Sequence, residues 1–133
     1  MNFFVGKRDV AGRNLMGLAA TGTAAYLLTL FSDNKYYLQG STTTYLQSVS
    51  ADASISQILV TGECAGGVQS IYKNSSLIPS TPLATGLINQ INSVGRYASF
   101  YTNGYLQTEI FYNSNQSTNR AGMQALIRSY YGI

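Results

Sequence analysis

Residues 14–32, NLMGLAATGTAAYLLTLFS, contain no charged side chain and lie between Arg13 and Asp33. Wound as an α-helix, this run of 19 residues extends about 28 Å at ~1.5 Å per residue, close to the ~30 Å hydrocarbon core of a bilayer. Asn14, three threonines and two glycines dilute it. Helical threonine hydroxyls bond the carbonyl one turn back, however, and are tolerated in lipid. The flanks point the same way. Lys7, Arg8 and Arg13 precede the run, the bias that holds an N-terminus on the cytoplasmic or interior side, and Phe3, Phe4, Tyr36 and Tyr37 stand where interfacial anchors would. Gly17, Thr21 and Ala25 repeat every four residues, as do Ala20 and Ala24, and small residues at that spacing let helices approach closely in a membrane. The expectation is a hydrophobic, membrane-spanning helix over 14–32. A buried helix of a soluble core and a cleaved signal peptide are the competing readings, and the presence of Met1 counts against cleavage.

Beyond residue 32 the pattern turns to extended structure. KYYLQGSTTTYLQSVS (35–50) reads as a hairpin or bulged strand around its glycine, and SISQILVTG (54–62) and VQSIYK (68–73) read as further strands. A helix is expected after Thr81 and Pro82, with Leu83, Leu87, Ile88, Ile91, Val94 and Ala98 on one face. YLQTEIFY (105–112) alternates like a strand, and the chain closes on a short helix with Met123, Leu126 and Ile127 on one side. The expected fold class is therefore α+β: an N-terminal hydrophobic helix, a small mixed sheet with one amphipathic helix, and a short C-terminal helix. Three segments follow: a basic tail (1–13), an anchor (14–32) and an assembly domain (33–133).

The chemistry is bounded mostly by what is missing. Without histidine and with one cysteine, Cys64, the chain can build neither an ordinary structural zinc site nor a Ser-His-Asp or Cys-His relay. Cys64 lies in GECAGG (62–67) beside Glu63, and a neighbouring acid raises a thiol pKa, so a small buried cysteine is the better reading. A carboxylate pair such as Glu63 with Glu109 has no support in the spacing. The glycines lack the lysine and serine of a phosphate loop. No catalytic residue, metal or cofactor is expected, and the chain is read as a non-enzyme.

Charged residues are only 10% of the chain, while Ser, Thr, Asn and Gln together number 45 of 133 and tyrosines number 11. A surface so poor in charge favours association over free solution, and tyrosine is enriched at protein–protein contacts. Tyr36, Tyr37, Tyr130 and Tyr131 are the expected assembly contacts. Gly17, Ala20, Thr21, Ala24 and Ala25 are the expected membrane or helix contacts, and Lys7, Arg8 and Arg13 would meet headgroup or genome phosphates. In architecture the basic start, the uncharged run and the Tyr- and Asn-rich remainder resemble the small single-pass structural membrane proteins of icosahedral phages with an internal membrane. That resemblance implies a virion-membrane subunit beneath a capsid, with the lipid bilayer, copies of itself and other coat or capsid proteins as partners. The alternative is a pilin-like filament subunit with hydrophobic helices packed in its core.

Overall fold

The structure, a computed structural model, describes residues 1–133 apart from 21–25, 40–44, 67, 82–92, 98–99 and 113. The described elements are β1 (Asn2–Arg8), β2 (Leu15–Ala20), β3 (Tyr26–Leu30), β4 (Tyr36–Gln39), β5 (Tyr45–Ser48), β6 (Ile58–Ala65), β7 (Val68–Lys73), β8 (Ser76–Leu77), β9 (Ser80–Thr81), β10 (Ser93–Val94), β11 (Arg96–Tyr97), β12 (Phe100–Tyr101), β13 (Gly104–Phe111) and the helix α1 (Arg120–Tyr131). One sheet runs in the order β13-β1-β6-β7-β8, a second in the order β10-β2-β3-β4-β5-β9, and β11 pairs with β12. Every pairing is antiparallel.

The layering follows from the alternation of side chains along β1 and β6. Phe4, Ile58 and Val60 face the second sheet, where they meet Leu15, Leu28, Leu30, Leu38 and Leu46 in one buried cluster. Phe3, Val5 and Leu59 point the other way and join Met1 under the helix, against Met123, Ile127 and Tyr131. The five-stranded sheet is thus the middle of three layers, with the six-stranded sheet on one side and α1 on the other. Glycines let the two sheets close. A Cβ on Gly62 would lie 3.1 Å from both Leu28 and Leu38, and one on Gly17 would lie 2.5 Å from the Phe4 ring.

This architecture overturns the expected α+β fold with an N-terminal helix. The run 14–32 supplies β2 and β3, which pair with each other and, through β3, with β4. Among the described residues no helix is long and apolar enough to cross a membrane. The physical reason is visible in β3, where Leu28, Thr29 and Leu30 are all buried, so that the strand reads as an unbroken apolar stretch. Thr29 solves its polarity by donating from Oγ1 to the Leu15 carbonyl at 2.9 Å, across the strand pair rather than up a helical turn. The amphipathic helix expected after Thr81 falls mostly on residues outside those described, and its C-terminal part is strand instead, at β10, β11 and β12. The small mixed sheet is replaced by two antiparallel sheets.

The only helix among the described residues is α1, ended by Gly132 in the left-handed conformation (φ 68°) with its N–H returned to the Arg128 carbonyl. Met123 and Ile127 face inward as expected, but Leu126 faces solvent.

Candidate functional site

A heavily bonded polar region joins the turn after β1, the β3–β4 turn and the segment between β5 and β6. Arg8 lies at its centre with 1% of its surface exposed. Its guanidinium donates to Asn34 Oδ1 at 2.7 Å, to the Asp52 carbonyl at 2.7 Å and to the Ser54 carbonyl at 2.8 Å. Asn34 can serve because it occupies φ 64°, a conformation asparagine tolerates better than most residues, and its Oδ1 also accepts from the Gly12 N–H at 2.9 Å.

The Asp52 side chain gathers the other partners. Oδ2 accepts from the Tyr36 hydroxyl at 2.5 Å and from Lys73 Nζ at 2.6 Å, and Oδ1 accepts from the Ser54 N–H at 2.9 Å. Burial pushes the Asp52 carboxyl up, but the hydrogen bonds from Lys73, Tyr36 and Ser54 outweigh it and hold the group below the ordinary carboxylate range. Tyr36 moves the other way. Burial, then its bond to Asp52, raises its phenol far above the usual value. A groove of about 390 Å³ opens beside this cluster, lined in part by Leu77, Ile78 and Pro79. Two cations, Arg8 and Lys73, stand about a single carboxylate, and the Tyr36 hydroxyl donates to that carboxylate, which is already ionised. This arrangement ties loops together and holds no activated nucleophile.

A second cluster clamps the helix start. Glu63, 6% exposed, receives the Tyr72 hydroxyl at 3.3 Å and faces Arg120 Nε at 3.4 Å, while the Arg120 guanidinium lies 3.8 Å above the Tyr72 ring. One turn on, the buried Gln124 donates to Thr61 Oγ1 at 3.0 Å. Glu63 and Glu109 do not form a catalytic pair. Glu109 is the cross-strand partner of Phe4 and shares its face, whereas Glu63 lies three residues beyond Val60 and turns to the helix. Cys64 is half-exposed at the end of β6. No group of metal-ligating side chains occurs among the described residues.

The residues singled out in the sequence separate widely. Arg8 is internal, whereas Lys7 and Arg13 are exposed, Lys7 with its ammonium 5.5 Å from the Tyr105 ring centre. Gly17 is buried beneath Phe4, and Ala20 closes β2 opposite Tyr26. Thr21, Ala24 and Ala25 lie outside the described residues. Tyr36 is buried, and Tyr37 is half-buried with its hydroxyl donating to Asp33 at 2.6 Å. Tyr131 packs under the helix with its hydroxyl against Thr108, and Tyr130 is 83% exposed. Sequence reasoning missed Asp52 and Lys73, whose ion pair joins positions 21 residues apart with no local signal.

The chain matches no protein family, no curated protein and no solved structure.

Proposed function

We propose that this chain is a non-enzymatic structural subunit that works in an ordered assembly, such as a virion shell, by contacting copies of itself and other coat proteins. One observation carries the reading: large apolar side chains stand in solvent on several sides of a well-filled sandwich. Val49, Ile55, Val68, Leu77 and Tyr105 are each more than half exposed. Scattered exposed apolar residues are ordinary in a protein surrounded by charge. Here eight basic and five acidic residues serve 133 positions, and Arg8 and Glu63 are buried. Such a surface is a solubility liability for a free monomer and costs little in a permanent assembly.

The anchoring helix has no part in this proposal, since residues 14–32 supply strands, and the filament alternative depended on the same helix. Of the expected phosphate contacts, the exposed Lys7 and Arg13 stay within the proposal.

Sedimentation velocity over a wide concentration range, with negative-stain imaging of the concentrated protein, tests it. Oligomers growing into particles of regular shape are expected. A chain that stays monomeric at about 0.5 mM, where even weak specific contacts are populated, refutes it.

A further inference from the structure

We infer that α1 packs antiparallel against α1 of a second copy, about a two-fold axis passing near Ala125 and Leu126. The inference rests on the assembly reading and names one of its contacts.

The outer face of α1 consists of Ala121, Gly122, Ala125, Leu126, Ser129 and Tyr130, all exposed and none charged. An exposed helix normally shows solvent its charged side chains. This helix has two arginines and turns both away from that face: Arg120 to Glu63 beneath the helix, and Arg128 Nε to the Ile133 carbonyl at 2.9 Å. A protein of net charge +3 brings two copies together with mutual repulsion, and this face adds none.

Size is distributed along the helix in a way that selects the partner and its direction. The large side chains, Leu126 at 74% and Tyr130 at 83% exposure, occupy the C-terminal half, and the small ones, Ala121, Gly122 and Ala125, occupy the N-terminal half. Nothing lies within 4 Å of the space a Cβ on Gly122 would fill. In an antiparallel pair the bulky half of each helix crosses the shallow half of the other, whereas a parallel pair sets Tyr130 on Tyr130 and leaves the shallow halves apart. The surface is complementary to itself, as a two-fold interface requires.

The area sets the strength. With roughly 150 Å² each from Leu126 and Tyr130, and the small residues beside them, the face offers on the order of 400 Å² per copy. A pair then buries about 800 Å², below the ~1,200 Å² at which stable complexes begin. A lone pair is weak, and the contact gains its strength by repetition in a larger array.

Cysteine cross-linking of the full chain tests register and direction together. In a Cys64→Ser background, Gly122→Cys combined with Ser129→Cys places each new thiol opposite the other residue of the second helix. Within one helix the two positions are about 10 Å apart, too far to bridge. With oxidised glutathione added to accept the two electrons, the double variant is expected to form a disulfide-linked dimer at about 0.5 mM, a concentration that populates weak pairs. Each single variant forms no disulfide-linked dimer, and adding Leu126→Lys, which sets two like charges at the axis, removes most of the covalent dimer of the double variant. The three helix positions are exposed and Cys64 is half-exposed, and circular dichroism confirms folding. No dimer from the double variant, or equal dimer from a single one, overturns the inference. Sedimentation of the unsubstituted chain separates the two levels. Association without the cross-link removes this helix pair and leaves the assembly reading on another surface. Neither association nor cross-link removes both.

Discussion

Replacing Arg8 with methionine keeps most of the stem and removes the guanidinium, which isolates the polar core of the turn region. Three hydrogen bonds of 2.7–2.8 Å are lost, each from a charged donor to a neutral oxygen, and the part-buried Asn34, Asp52 and Ser54 acceptors each lose a partner. At ~1–2 kcal/mol each, the loss is about 3–6 kcal/mol, a large share of the ~5–15 kcal/mol that holds a domain together. For 133 residues at ~2.1 cal/mol/K each, the unfolding entropy is about 0.28 kcal/mol/K, so the melting temperature should fall by roughly 14 °C. Differential scanning calorimetry reads this directly. Arg13→Met is the paired control: that side chain is exposed, and the change should stay within ~0.5 kcal/mol. If Arg8→Met and Arg13→Met melt within about 3 °C of each other, the buried placement of Arg8 is wrong, because surface substitutions alone cluster that closely.

Asp52→Asn should destabilise by about 2 kcal/mol near neutral pH, since an amide is a poorer acceptor for Lys73 and Tyr36. The native carboxyl lies below its unfolded value, so its contribution is complete above about pH 5 and fades as pH falls through the native pKa, and urea titrations should show a flatter acid limb for Asp52→Asn. At the alkaline end, burial and then Asp33 push Tyr37 up to about 12, and Tyr36 lies higher still. Ultraviolet titration should therefore show two late-ionising phenols, lost singly in Tyr36→Phe and Tyr37→Phe, with stability falling above about pH 10 where the unfolded phenols ionise first. Gly17→Ala places a methyl 2.5 Å from Phe4 Cδ1 and 3.1 Å from the Leu28 carbonyl, at a cost of about 1–3 kcal/mol by denaturant melt, and a second change, Phe4→Leu, should recover part of it.

Strand β13 lies within one residue of where alternation placed it, because its faces differ in exposure over most of its length, and VQSIYK, read as a short strand, is β7. The C-terminal helix was legible for a similar reason, through Met123 and Ile127. The run 14–32 was misread because a strand covered on both faces loses its alternation, and an apolar stretch has no period to distinguish strand from helix. A length near that of a membrane span then decided the matter wrongly. Asn2–Arg8 was misread for the opposite reason. Lys7 and Arg8 made it look like a basic tail, although Phe3, Phe4 and Val5 are the middle of the core. A buried arginine announces itself only through its acceptors, and those of Arg8 come from 26, 44 and 46 residues away. The outward face of α1 was missed because Leu126 was counted with the inward stripe.

The neighbours of β1 also set a timetable. Its pairs with β6 join positions 52–60 residues apart, but Asn2 meets Phe111 and Arg8 meets Gly104. At ~5–20 residues per second of synthesis, the first strand waits on the order of 5–20 s on the ribosome before its second partner exists. Once β6 has emerged, β1 pairs with it alone until β13 follows, and its other strand edge is open to any passing chain. A protein with this connectivity completes its folding only as its last strand emerges, and it is most vulnerable to aggregation while nascent.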